Sequence, residues 1–317
     1  MIRMNEQLFC FGALVLVLMA AVWFGPPKEE ARMSPIHPAI QIIAERDGYV
    51  EGVAVSTDGT IYLTFRGESD IFRLQENKGS LEAVRSLLLP KALAVDGKGQ
   101  LHAAYSVTGS RDYLNSVVGL VSNSPTIEEF RVGSRIGGIA LDHAGSLYVS
   151  SPLSGEVWKV EPGGSKSLLS DPHATDQIPK MMEPEGIAVN YKGQVLLADG
   201  DNTVYLYEHG RLRQLAGKSG ECDMRDGEGA HARFCGPTAV TADKHGDFLV
   251  VDQSCALRKV TVSGKVTTLI GSPFVGLSGL FQLSPKQCSS FVRAVTVAGN
   301  GDILLAARSA LRIHIAY

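Results

Sequence analysis

Beyond residue 50 the apolar residues fall into short runs, each closed by a polar, glycine-bearing break, and one such run keeps returning. It first reads Glu51-Gly52-Val53-Ala54-Val55, breaks at Asp58-Gly59 and resumes as Thr60-Ile61-Tyr62-Leu63. It returns as Ala92-Leu93-Ala94-Val95 with Gly99, Gly138-Ile139-Ala140-Leu141 with Gly145, and Gly186-Ile187-Ala188-Val189 with Gly193. Two weaker copies follow, Ala239-Val240-Thr241-Ala242 with Gly246 and Ala294-Val295-Thr296-Val297 with Gly301. In all six the second glycine stands seven positions after the opening Gly or Ala, and successive openings are 40, 46, 48, 53 and 55 residues apart. Short apolar runs bounded by glycine turns read as strands. A repeat of about 40 to 50 residues is that of a four-stranded propeller blade.

The chemistry within a unit agrees. Small opening residues suit a crowded central strand, and the Asp-Gly or Lys-Gly turn supplies the positive φ of a tight hairpin. A second apolar segment follows, as in Ser146 to Ser150 or Gln194 to Ala198. Alternating segments such as Glu156 to Val160 and Thr203 to Tyr207 are third strands, half exposed, and Arg211 to Leu215 or Val266 to Ile270 a short fourth. After Val297 only two more strands fit, Asp302 to Ala306 and Ala310 to Ala316, so the last unit lacks its outer strand. An unpaired edge there would invite aggregation. Ala39 to Ala44, reading AIQIIA, has no partner of its own and is predicted to complete that unit. The fold expected over 39–317 is all-β, a six-bladed β-propeller closed by an N-terminal strand.

The phrase Pro184-Glu185-Gly186-Ile187-Ala188-Val189 through Ala198-Asp199-Gly200-Asp201-Asn202 resembles the NHL-repeat propellers. The stretch from Asp226 to Pro237 looks like the glycine-rich insertion preceding many such repeats. The strand phrase is also distantly similar to the gluconolactonase and strictosidine-synthase-like hydrolases, which place axial Glu, Asn and Asp around a metal or a catalytic acid. Glu51 resembles that group's first acidic ligand and Asp199 its later aspartate. Glu185 departs by standing where the group tends to have Asn, and Lys91 and Arg293 bring positive charge towards the axis.

The segment ahead of the repeats differs in kind. Leu8 to Phe24 is seventeen residues without a charge, between Arg3 and the polar flank that follows Gly25. As a single hydrophobic helix it would reach ~25 Å, slightly short of a ~30 Å hydrocarbon core. Residues 1–25 therefore read as a transmembrane anchor or a signal segment, the anchor being preferred because Trp23 and Phe24 occupy the places where a cleavage site needs small residues. Residues 26–38, with four prolines, read as a stalk. Either role for residues 8–24 carries the propeller across a membrane, leaving it tethered outside the cytoplasm or secreted.

Charge and cysteine usage narrow the partners. With 30 Lys+Arg against 33 Asp+Glu, a net charge of −3 and no basic run longer than a pair, no nucleic-acid surface is expected. Hydrophobic residues at 44% and charged residues at 20% exclude disorder. Cys222, Cys235, Cys255 and Cys288 lie beyond the apolar segment without C-x-x-C spacing, so they are disulfide candidates in an oxidising compartment rather than a zinc site. Cys222 with Cys235 would staple one loop; buried free thiols are the other reading.

In a propeller the start of the first strand and the end of the second share one face. The residues just before each opening, Glu51, Lys91, Gly137, Glu185, Thr238 and Arg293, should gather at the channel mouth with those ending the second strand, Phe65, Tyr105, Ser151, Asp199, Asp252 and Ala307. Glu51, Glu185, Asp199 and Asp252 are the candidate oxygen ligands for a hard cation such as Ca²⁺. Alternatively, Glu185 and Asp199 bond turn amides, with Lys91 and Arg293 as counter-ions. The long connections 170–183, 216–234 and 271–291 lie on that face. No G-x-S-x-G, H-E-x-x-H, phosphate-loop or dinucleotide motif occurs, and Asp223 and Asp226 read as solvated loop residues. A non-catalytic scaffold for a protein or glycan is the leading expectation, with a Ca²⁺-dependent lactonase or esterase as the alternative.

Overall fold

The computed structural model describes residues 39–44, 46, 49–107, 116–121, 129–171, 180–253, 256–271, 292–307 and 309–314. The apolar segment 8–24, the stalk 26–38, Cys255 and Cys288 lie outside the described residues. Among those described, no helix is long and apolar enough to cross a membrane.

Among the described residues the strands form six antiparallel sheets, five of four strands and one of five. Each innermost strand carries one copy of the repeat phrase: Val50–Val55, Leu93–Val95, Ile139–Leu141, Pro184–Val189, Pro237–Ala242 and Ala294–Val297. Successive innermost strands pack on one another, and the last packs on the first, so the ring is closed. The chain is a six-bladed β-propeller.

The sixth blade is completed from the other end of the chain. Ala39–Ala44 pairs antiparallel with Ala310–His314, Ile40 opposite Ile313 and Gln41 opposite Arg312. It is the outermost strand of that sheet, as the missing fourth strand required. Closure is reinforced where Val50 donates its amide to Ala307 O at 2.7 Å and Arg312 pairs with Glu76 of the first blade.

The constant glycine spacing has a local cause. Gly59, Gly99, Gly145, Gly193, Gly246 and Gly301 all have φ between 75° and 90°, a left-handed conformation that costs glycine little. Each donates its amide to the carbonyl three residues earlier, as Gly99 does to Asp96 O at 3.0 Å. Where that earlier residue is Asp or Asn, its side chain caps the turn as well. Asp96 Oδ1 accepts the amides of Lys98 and Gln100 at 2.9 and 2.8 Å, and Asp243 Oδ1 those of His245 and Asp247 at 2.8 and 2.9 Å.

Crowding at the axis explains the opening residues. A Cβ on Gly52 would stand 2.3 Å from Lys91 O, and one on Gly186 would stand 2.6 Å from Thr238 O and 2.9 Å from Ala239 Cα. Outside this ring the apolar faces of neighbouring blades interlock. One such cluster joins Leu196, Val204 and Leu206 of the fourth blade to Phe248, Val250 and Val260 of the fifth through Phe234.

The fifth blade holds an extra strand. Gly227–Glu228, inside the glycine-rich insertion, pairs with Lys265–Ile270 and adds a short outer edge. Cys222 and Cys235 form a disulfide across the base of the same insertion.

Candidate binding site

A cavity of about 330 Å³ opens on the propeller axis. Its mouth is lined by Glu51, Lys91, Gly137, Glu185, Thr238 and Arg293, all six residues that precede the repeat openings. Deeper, consecutive residues of the innermost strands line it, and because side chains such as Val53, Ile139, Ile187 and Val240 are buried in the clusters between blades, the lining left exposed is mainly polar. Arg135 and Gln253 also reach it, and neither follows from the repeat.

Charge pairing organises the mouth. Arg135 Nη2 lies 2.5 Å from Glu185 Oε1, and Arg66 Nε stands 3.5 Å from Glu51 Oε1. Lys91 Nζ donates to the backbone carbonyl of Ile136 at 3.3 Å, and among the described residues no carboxylate is within ion-pairing distance of it. Burial pushes the Lys91 ammonium down to about 8, aided by Arg135 and Arg293 and opposed by Glu185 and Glu51. Arg293 is exposed, and no ion pair engages it among the described residues.

The residues ending the second strands do not share this cavity. Phe65, Tyr105, Ser151, Asp199, Asp252 and Ala307 are all buried within the blades, one strand further from the axis, a displacement of about 4.8 Å. Asp199 accepts the amides of Met182 and Glu183 at 3.0 and 2.7 Å, and Asp252 accepts that of Cys235 at 3.0 Å. Both carboxylates thus pin the segment that enters their blade. In the third blade Ser151 does the same in reverse, donating to Arg135 O at 2.9 Å.

Of the four candidate oxygen ligands, then, Glu51 and Glu185 line the axis while Asp199 and Asp252 do not. A hard cation takes six to eight oxygens. Here two carboxylates, each facing a guanidinium, share the mouth with Lys91 and Arg293. Among the described residues no three His, Cys, Asp or Glu side chains come together to hold a metal. This donor set does not fit Ca²⁺. The counter-ion of Glu185 is Arg135, not Lys91 or Arg293.

Asp226 is exposed, as a solvated loop residue should be, and it also accepts from Arg258 Nη2 at 2.9 Å and from the Thr268 amide and hydroxyl at 3.0 and 2.8 Å. Burial raises its carboxyl, and those hydrogen bonds outweigh the rise and hold it below 3.8.

The fold and this axial mouth define a six-bladed propeller with a mixed-charge central pocket. Several solved structures are similar to it in fold. One is an auxiliary nutrient binding protein from Bacteroides thetaiotaomicron, with a TM-score of 0.64 and 15% identity over 88% of this chain and 77% of the other. Another is a gluconolactonase from Xanthomonas campestris, at 0.62 and 12% over 89% and 91%. A third is a virginiamycin B lyase from Staphylococcus aureus, at 0.59 and 12% over 88% and 100%. At such identities the likeness establishes the fold and nothing finer. No protein-family model matches the chain, and no curated protein matches it in sequence.

Proposed function

We propose that this chain is a non-catalytic binding propeller of the NHL-repeat type, held outside the cytoplasm by residues 8–24 or secreted, and that its channel face captures a protein or glycan. The observation that carries this reading is the state of the four candidate carboxylates. Glu51 and Glu185 face Arg66 and Arg135, and Asp199 and Asp252 are occupied with backbone amides. A metal-dependent hydrolase needs carboxylates left open to the cation.

The test is direct. Full-length protein, with and without added Ca²⁺, is offered a panel of lactones and esters and, separately, a glycan array. The reading expects no turnover and saturable binding to a subset of array members. Divalent-metal-dependent hydrolysis that Glu185→Gln abolishes would overturn it. The tether is tested by carbonate extraction and recovery from the medium. Protein found in neither the membrane pellet nor the medium would remove that part of the proposal.

A further inference from the structure

The charge count at the mouth is uneven. Glu51, Glu185, Lys91, Arg135 and Arg293 line the cavity, three cations to two carboxylates. Arg135 is taken by Glu185, and Glu51 already faces Arg66 from outside the cavity. What remains is Lys91, whose ammonium has one carbonyl partner, and Arg293. Among the described residues neither has an ion-pair partner, the two cations repel each other, and a desolvated ammonium is costly unless it is paired. An arriving anion relieves both penalties.

We infer that the axial cavity receives a small ligand bearing an oxyanion, carboxylate or phosphate, held between Lys91 and Arg293. The inference rests on the binding reading above and names the chemistry of its ligand. A volume of about 330 Å³ lies at the lower end of small-molecule sites, room for one sugar-sized unit rather than a protein side. The two carboxylates then serve as acceptors for ligand hydroxyls. Glu51 and Glu185 remain anchored by their guanidiniums, so they are positioned before the ligand arrives.

Protonation enters through Lys91. The charged groups facing it are Arg135, Arg293, Glu185 and Glu51. Its amine is charged at pH 6.5 and largely neutral at pH 9.5, so oxyanion binding should weaken across that range.

The test uses probes of one skeleton on the full-length protein: D-glucose, D-glucuronate and glucose 6-phosphate, titrated calorimetrically at pH 6.5 and 9.5. At least one anionic probe should saturate, roughly tenfold or more tighter than glucose, and which of the two does so separates carboxylate from phosphate. Arg293→Gln, an exposed change, should weaken that probe at least about tenfold, and Lys91→Met should remove the pH dependence. Equal binding of glucose, an unchanged affinity in Arg293→Gln, or no saturation by any probe would overturn the inference. Those failures leave the binding-propeller reading standing, since only hydrolysis of the lactone and ester panel overturns that.

Discussion

Asp252 and Arg258 form an ion pair in which both side chains are inaccessible to solvent, with Nη1 and Oδ2 3.3 Å apart. The guanidinium also donates to Arg233 O at 3.1 Å and to Asp226 at 2.9 Å, and it lies 5.3 Å from the centre of the Phe234 ring. One buried cation thereby ties the second and third strands of the fifth blade to the disulfide-closed insertion in front of it.

Removing that cation leaves Asp252 charged, buried and short of its partner. Arg258→Met should destabilise the protein by about 3–5 kcal/mol, read as a lower denaturation midpoint in urea with circular dichroism. The double change Arg258→Met with Asp252→Asn removes the stranded charge and should recover part of the loss. A single variant as stable as the parent would show that solvent reaches Asp252 in solution.

Crowding at the axis gives a second test. Gly186→Ala places a methyl 2.6 Å from Thr238 O and 2.9 Å from Ala239 Cα, both backbone atoms of the next blade, so the blades must part. A loss of roughly 1–3 kcal/mol is expected, with a lower thermal midpoint. Gly163→Ala is the control, because a Cβ there meets nothing within 4 Å.

These contacts explain what could be read from sequence. The glycine seven residues after each opening was visible because a φ of 75° to 90° is required in every blade. The six rim residues were visible because each precedes a fixed position in its innermost strand. Arg135 was not, since it stands in a connection that does not repeat. Asp199 and Asp252 were assigned to the axis because their strands end at its face. Strand order sets them one layer outwards, where unsatisfied amides claim them. The strand Gly227–Glu228 has too few residues to carry any alternation.

Closure by Ala39–Ala44 makes a prediction about solubility. Without it Ala310–His314, now paired along its length, becomes the outer edge of the sixth blade, and an open apolar edge is a template for self-association. A chain starting at residue 45 should elute as oligomers or aggregate on size-exclusion chromatography with light scattering, whereas a chain starting at residue 39 should remain monodisperse. Monodisperse behaviour of both would show that the edge is otherwise protected.

The depressed Lys91 ammonium can be measured in the free protein. Reductive ¹³C-methylation followed by pH titration should give one lysine resonance titrating near 8. Arg293→Gln removes a repelling cation and should move it up, and Glu51→Gln removes an attracting anion and should move it down. The linkage to stability follows in sign. Because the native amine releases its proton at lower pH than the unfolded one, the unfolded state binds more protons between about 8 and 10.5, and stability gains from this group as pH rises through that window. The stability difference between the parent and Lys91→Met, taken from urea denaturation at pH 7 and pH 10, should therefore shift in favour of the parent at the higher pH. A constant difference would mean that the amine is solvated at the channel mouth and keeps an ordinary affinity for its proton.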